Sequence, residues 1–260
     1  DGTFGVYLPA ACAGENLTLS LYLDKEQTPE ITLTDITLGD IWIAAGQSNM
    51  EYFLRYDAHW NKTRQQSFRR DIRMFNVPRI AFAGQERTLS DSGYWFFEQD
   101  EAWASFSAPG YYFARSLEED LHIPVGIIGC NWGGTPACAW MDESYLSEEP
   151  LRIWLDEYKE ALASCPAEQL KAESLLSWEY EDDYHHQLEW RSVMYGLSES
   201  EQKEWEKQHS DEPLLPMGPY HHYRPCGLYQ TMVLPIAPFT IKGILWYQGE
   251  SDSCHPQIYD

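Results

Sequence analysis

The sequence predicts an α/β protein whose sheet is mostly parallel. Short apolar runs at 41–45, 71–77, 123–130 and 241–247 are typical of buried strands, and residues 109–121 show the apolar spacing of an amphipathic helix. Strand, helix and strand alternating at this length imply parallel pairing with right-handed crossovers. With 260 residues and 43% hydrophobic content, the chain can bury one sizeable core.

The first 38 residues follow a different pattern. Apolar and polar positions alternate in three runs, at Gly5–Leu8, Leu17–Leu23 and Ile31–Leu38, which are separated by Gly, Asn and Pro. Such alternation is typical of antiparallel strands with one solvent-exposed face. We therefore expect a β region before the parallel sheet begins at Gly39.

The stretch from Gly39 to Glu51 holds the first candidate for chemistry. A buried strand at 41–45 is followed by Gly46, Gln47 and Ser48, and Asn49 can begin a helix. A serine at a glycine-marked turn from strand to helix projects its hydroxyl from the carboxyl edge of the sheet, where a nucleophile is useful. The alternative is that Ser48 only caps the helix.

Three further segments favour the catalytic interpretation. With the first stretch they form four blocks in order: GQSNM at 46–50, a glycine at Gly110, NWGGT at 131–135 and WYQGESD at 246–252. On these blocks the chain resembles the SGNH-type hydrolases, and within them the sialate O-acetylesterase family of carbohydrate esterases. The resemblance extends over residues 30–142 and 225–260, including the approach PCGLYQTMVLPIAPFTIKG at 225–243.

The resemblance implies a three-layer α/β/α sandwich with a mostly parallel sheet in flavodoxin-like order. Residues 1–38 would then be the last strands of a β-rich, jelly-roll-like domain, and 39–260 an SGNH-hydrolase domain that is incomplete at its carboxyl end. Residues 142–224 look least like the family. Their charged runs at 151–162 and 199–208 predict a helical insertion, either a solvated decoration or a source of substrate contacts.

Acyl transfer needs a nucleophile, a base, a group that orients the base, and donors for the developing oxyanion. The resemblance assigns Ser48 as the nucleophile. It assigns the Gly110 N–H, the Asn131 side chain and the Ser48 N–H as the oxyanion donors. The alternatives are a glycine at a helix start for Gly110 and an amide that forms a turn for Asn131.

Gln47, Gln248 and Glu250 are polar residues that follow predicted strands. The carboxyl ends of parallel strands meet at one edge of the sheet, so these side chains should border the same crevice as Ser48. They can either form a buried polar network that fixes the loops or contact the sugar directly. The sequence leaves both roles open.

The base and its orienting acid are the remaining parts of the assignment. In the resembled superfamily they come from an Asp-x-x-His motif late in the chain, and the literal match here is Asp252 and His255. This match directly follows the Gln-Gly-Glu block, whereas the family's pair follows several tens of residues later. We therefore expect the match to be coincidental, the functional pair to lie beyond Asp260, and these 260 residues alone to be poorly active.

Charge and composition exclude several other functions. A formal net charge of −23 with only 18 Lys and Arg disfavours nucleic acid and anionic membrane surfaces. No apolar run approaches the roughly 20 residues needed to cross a bilayer.

No His, Asp or Glu spacing suggests a metal site. The six cysteines show no C-x-x-C pair, so we expect reduced, structural thiols, although a disulfide stays open. The chain begins without Met, so a lost leader would not be visible, and the compartment and oligomeric state stay open.

The sequence therefore predicts a serine esterase that needs no cofactor and removes O-acetyl groups from a carbohydrate through an acetyl-Ser48 intermediate. The resemblance implies O-acetylated sialic acid as the substrate. Two alternatives stay open: an esterase for acetylxylan or another glycan, and a carbohydrate-binding relative that has lost catalysis.

Overall fold

The computed structural model describes most of the chain. The described residues are 5–23, 28–66, 71–85, 93–181, 198, 200, 201, 204 and 217–258. The predicted helix at 199–208 lies for the most part outside them.

The chain forms two compact units, each built from several segments. The first unit comprises Asp1–Arg79, Arg87–Thr135 and Ile236–Ser251, and the second comprises Ile80–Glu86, Pro136–Pro235 and Asp252–Asp260. The first unit contains both the amino-terminal strands and the parallel sheet. The division of the chain into a β domain ending at residue 38 and a hydrolase domain remains a prediction.

The amino-terminal β region consists of two antiparallel strands, β1 (Gly14–Leu21) and β2 (Ile31–Leu38). The prediction of a further strand at Gly5–Leu8 is wrong, because these residues have no regular secondary structure. Their side chains are exposed, so the alternating pattern has no described sheet face against which to pack.

The first unit is built on a five-stranded sheet. Its strands are β3 (Asp40–Gly46), β4 (Ile72–Asn76), β5 (Trp95–Phe96), β6 (Val125–Asn131) and β7 (Gly243–Tyr247). β3, β4, β6 and β7 run parallel, and only β5 is antiparallel, at the β4 edge. The predicted α/β fold with a mostly parallel sheet is confirmed.

The order of the strands is β5-β4-β6-β3-β7. It differs from the flavodoxin order 2-1-3-4-5, in which the second strand pairs with the first, because β4 pairs with β6 instead of β3. The apolar residues of β6 are almost fully buried, which suits a central position. β4 carries Arg73, which forms an ion pair with Asp35 at 2.7 Å, and this suits a position closer to the edge.

The segment 79–107, predicted as an irregular loop, contains two regular elements. β5 adds the antiparallel edge strand, and residues Glu101–Ser105 form a 3-10 helix. Trp95 contacts Phe75 across the strand pair, with 5.5 Å between ring centroids. Aromatic packing therefore orders part of a segment whose glycines and serines suggested a loop.

Three helices of the first unit follow or cover strands of the sheet. They are α1 (Ser48–Glu51), α2 (Trp60–Thr63) and α3 (Ala108–Leu121). α3 packs on the sheet through Tyr111 and Ala114, which belong to the same buried cluster as Ala44 and Ile127. Its amphipathic pattern was predicted, and the buried face is the apolar one.

The described part of the second unit is mainly helical. It contains α4 (Glu143–Leu146), α5 (Ile153–Ser164), α6 (Ala167–Glu181) and a π-helix at Tyr229–Val233. The next element along the chain is α7 (Leu234–Ile236), whose last residue belongs to the first unit. Cys138, Leu146 and Cys226 form a small buried cluster. α5 has no fully buried residue, as its charged sequence suggests.

His221, in the second unit, should make stability depend on pH. Its Nδ1 accepts a hydrogen bond from the Tyr223 N–H at 2.8 Å, which requires a neutral nitrogen, and burial lowers its pKa to about 4. Between about pH 4 and 6.5, His221 is therefore protonated in the unfolded chain and neutral in the folded chain. The contribution of neutral His221 to the free energy of unfolding is fully present above about pH 6.5. It should fall by on the order of 3 kcal/mol as the pH drops toward 4.

Urea titrations of wild type and His221→Gln between pH 7.5 and 4.5 test this expectation. The slope of stability against pH should flatten in His221→Gln and persist in the matched variant of the exposed His59, His59→Gln. Equal slopes in His221→Gln and the wild type would contradict it.

Candidate active site

Ser48 lies two residues after the end of β3, at the carboxyl edge of the sheet. Gly46 ends the strand with a φ of +137°, and a Cβ at this position would lie 2.0 Å from the Tyr247 carbonyl oxygen, so only glycine fits. The Gln47 N–H donates to the same oxygen at 3.1 Å. Ser48 then opens α1 and is exposed. The turn thus presents the serine to solvent.

Asn131 lies at the same edge. It ends β6, and its register partner on β3 is Gly46, two residues before Ser48. One N–H of its side-chain amide donates to the Ala44 carbonyl oxygen at 3.2 Å, which fixes the amide beside β3. An amide has two N–H groups, so one donor remains for another acceptor. The structure brings the predicted nucleophile and one predicted oxyanion donor together.

Gly110 has a structural use close to these residues. Its N–H donates at 3.0 Å to the hydroxyl of Ser107, which caps α3. A Cβ on Gly110 would lie 2.9 Å from the Cβ of Ala44, so glycine lets the helix approach β3 closely. An oxyanion role for Gly110 remains a prediction, and it would require this N–H to be shared with the substrate.

Gln47 and Gln248 belong to a polar network below the serine. Gln47 is 2% exposed, and its side-chain oxygen accepts hydrogen bonds from the Gln248 amide at 2.8 Å, the Gly249 N–H at 3.4 Å and the Ser251 N–H at 3.3 Å. The Gln248 amide also donates to the Thr135 carbonyl oxygen at 2.8 Å. These bonds tie the loop after β7 to the end of β3, as a network that fixes the loops would do.

Glu250 is exposed and meets the residue that follows the serine. Its carboxylate accepts a hydrogen bond from the side-chain amide of Asn49. This contact places Glu250 at the rim beside Ser48. The sequence predicted Glu250 but did not single out Asn49.

Sequence reasoning also missed Glu51 and Arg79. One carboxylate oxygen of Glu51 accepts a hydrogen bond from the Gly133 N–H, and the other lies 2.5 Å from the guanidinium of Arg79. Glu51 stands three residues after Ser48 on a one-turn helix, so that spacing could have indicated a shared face. Arg79 lies in a segment without periodicity, and the sequence held no signal for it.

Asp252 and His255, the low-ranked acid and base candidates, have structural contacts within the second unit. Asp252 is 1% exposed, and its carboxylate oxygens accept from the Ala137 N–H at 2.8 and 3.1 Å. The His255 Nε2 lies 3.0 Å from the Glu157 carboxylate, and its ring contacts Trp154 edge to face. Their assignment as acid and base remains a prediction.

Metal ligands, thiols and apolar helices can also be surveyed in the described part of the chain. No group of three or more His, Cys, Asp or Glu residues there could hold a metal ion. Burial raises the pKa of Cys130, beside Asn131, to about 12, so this thiol stays protonated at neutral pH and is a poor nucleophile. No described helix has both the length and the apolar character required to cross a membrane.

A mostly parallel sheet with helices packed on it, and a serine at its carboxyl edge, define the class as an α/β protein, the class to which SGNH-type hydrolases belong. Comparison with protein families then gives the particular group. A model described as "Carbohydrate esterase, sialic acid-specific acetylesterase" matches residues 38–208, and the chain belongs to this family.

The chain is also similar to individual curated proteins. It is 23% identical to the sialate O-acetylesterase of Rattus norvegicus over 253 residues, with 87% of this chain and 38% of the rat protein covered. It is 24% identical to the sialate O-acetylesterase of Homo sapiens over 231 residues, with 84% of this chain and 32% of the human protein covered. The chain thus spans well under half the length of these relatives.

Among solved structures, a carbohydrate acetylesterase from Xanthomonas citri matches with a TM-score of 0.58 and 24% identity. The match covers 95% of this chain and 40% of that one. This likeness shows the fold.

Proposed function

We propose that the complete protein containing this chain is a serine esterase that removes O-acetyl groups from a carbohydrate. The observation that carries the proposal is the exposed Ser48 at the same sheet edge as the Asn131 amide, in a chain that belongs to a family of carbohydrate esterases. A hydroxyl and an uncharged donor at one edge are two of the parts that acyl transfer requires.

The proposed reaction has two steps. The Ser48 hydroxyl attacks the acetyl carbonyl carbon while a base takes its proton, and the oxyanion accepts hydrogen bonds from the Ser48 N–H and the Asn131 amide. The bond from the carbonyl carbon to the sugar oxygen then breaks, the base gives the proton to that oxygen, and the sugar leaves as an alcohol while acetyl-Ser48 remains. Water attacks this ester in the same way and releases acetate. We assign no residue as the base, for which Asp252 and His255 remain the candidates that the sequence offers.

The donors proposed for the oxyanion differ in how well their geometry suits the role. Gln47, the residue before α1, makes no side-chain cap, and within the described residues no acceptor holds the Ser48 N–H. Asn131 keeps one N–H beyond its bond to Ala44. Gly110 would have to share its N–H with Ser107, so we rank it below the other two.

The proposed substrate is an O-acetylated sialic acid. Support comes from the family description and from relatives that are sialate O-acetylesterases. The site residues themselves indicate ester hydrolysis and do not identify the sugar, so acetylxylan remains the alternative substrate.

Acetate release by the complete protein from O-acetylated sialic acid and from acetylxylan tests the proposal. We expect faster release from the sialic acid, and covalent labelling of the Ser48 peptide by a fluorophosphonate, located by mass spectrometry. Preference for acetylxylan would overturn the substrate. Glycan binding without labelling or acetate release would point to the non-catalytic alternative and overturn the enzyme proposal.

A further inference from the structure

An arginine stands beside the candidate nucleophile without a part in the proposed chemistry. Arg79 lies three residues after the end of β4 and is 37% exposed. Its guanidinium lies 2.5 Å from a carboxylate oxygen of Glu51 and 5.7 Å from the centroid of the Trp132 ring, within the range of a cation–π contact. An acid and an aromatic ring together hold this side chain at the surface.

The ion pair and Ser48 share one small neighbourhood. The second carboxylate oxygen of Glu51 accepts from the Gly133 N–H. A Cβ on Gly133 would lie 2.9 Å from that oxygen and 3.5 Å from the Cβ of Ser48, so the loop after β6 lies close to both residues. Ser48, Glu51 and Arg79 are therefore neighbours at the carboxyl edge of the sheet.

The charge of the chain makes a fixed cation at this edge informative. A protein with a formal net charge of −23 repels an anionic substrate, so binding one requires a local positive group. A guanidinium carries five N–H donors in a planar fork, and one carboxylate partner occupies only part of it. Glu51 thus orients the fork and leaves donors that can bind a second carboxylate.

We propose that Arg79 determines specificity by binding a carboxylate of the substrate, and that Glu51 positions it. This inference rests on the proposed function and deepens it, because it selects a carboxylated sugar over a neutral one. A sialic acid carries such a carboxylate in addition to the hydroxyls that bear acetyl groups, whereas the acetylated xylose units of xylan are neutral.

The test compares two substrates that differ only in charge. Acetate release by the complete protein is measured with an O-acetylated N-acetylneuraminic acid and with the same sugar whose carboxylate is converted to a carboxamide. The wild type should prefer the acid by about tenfold to a hundredfold in kcat/KM, the range expected for hydrogen bonds to a charged group. In Arg79→Met this preference should disappear, with the change mainly in KM for the acid. Arg79→Lys keeps the positive charge but lacks the planar guanidinium, and it should restore part of the preference for the acid.

Lys242→Met supplies the matched control. Lys242 is also an exposed cation paired with a carboxylate, Asp40, but it precedes β7 and lies at the amino edge of the sheet. Its removal lowers the net positive charge equally and should leave the preference for the acid intact. If Arg79→Met and Lys242→Met both lost the preference for the acid, the net charge of the protein would explain the preference. That result would overturn the inference.

Other outcomes separate this inference from the proposed function. The role of Arg79 would be overturned if the wild type showed no preference for the acid over the carboxamide, or if Arg79→Met kept that preference. It would also be overturned if Arg79→Met lost activity equally on both sugars. In each case acetate release would still support the esterase. If the wild type released acetate from neither sugar, the proposed function would fail. Calorimetric binding of N-acetylneuraminic acid and its carboxamide to wild type and Arg79→Met would then decide the binding role of Arg79 by itself.

Discussion

Replacing Ser48 with alanine is expected to reduce acetate release by the complete protein by a factor of about 10⁴ or more. Without the hydroxyl no acetyl-enzyme can form, and the remaining donors can only polarise the ester for direct attack by water. The substitution should leave the fold intact, because Ser48 is exposed and its described hydrogen bond, from the Tyr52 N–H, is made by its backbone oxygen, which alanine keeps. The measurement is acetate release under saturating substrate, with near-identical thermal unfolding of the two proteins as a check on folding.

Two companion variants make the result specific. Ser116→Ala removes an exposed serine from α3 and should have no effect. Asn131→Ala should reduce turnover by about 10²–10³, the usual effect of one lost oxyanion donor, with a smaller change in KM. Turnover retained in Ser48→Ala would refute the assignment of the nucleophile. A reduction in Asn131→Ala accompanied by an equally large loss of stability would assign that amide to structure, through its bond to Ala44.

Local pattern was sufficient to locate the strands that position the site. The runs 41–45 and 123–130 became β3 and β6, and the two strands pair in parallel with Asn131 opposite Gly46. This works because an apolar run that ends in glycine and polar residues encodes both a buried strand and its exposed end. The order of β4 and β6 was not accessible in this way, because it depends on which strand buries both faces in the folded sheet.

The contacts that surround the serine depend on residues far apart in the chain. Glu51 meets Gly133, 82 positions later, and Asn49 meets Glu250, 201 positions later. No periodic pattern records such pairs, because each is decided by how the strand ends converge. The resemblance supplied Gly110 as an oxyanion donor, and in the structure its N–H donates to the hydroxyl of Ser107, which caps α3. A motif alone could not indicate this local hydrogen bond, and the oxyanion role of Gly110 remains a prediction.

Gly46→Ala should be the most damaging single-methyl substitution in the parallel sheet. The added Cβ would lie 2.0 Å from the Tyr247 carbonyl oxygen and 2.7 Å from the carbonyl carbon, at a backbone φ of +137° that side chains rarely adopt. Relief requires β3 and β7 to separate, which would break the bond from the Gln47 N–H to Tyr247 and disturb the loop that Gln47 holds. We expect a loss of about 4 kcal/mol or more in the free energy of unfolding, or failure to fold.

Two further glycines separate the causes of the Gly46 effect. Gly84 has a φ of +84° with nothing within 4 Å of an added Cβ, so Gly84→Ala should cost only about 1 kcal/mol from backbone strain. Gly39 lacks a positive φ, but its added Cβ would lie 2.0 Å from the Pro124 carbonyl oxygen, so Gly39→Ala measures steric overlap alone. Urea titrations should rank Gly46→Ala as most destabilised, Gly39→Ala next and Gly84→Ala least. A Gly46→Ala protein as stable as Gly84→Ala would mean that β7 does not lie against the turn before Ser48, and the geometry proposed for the nucleophile would fail with it.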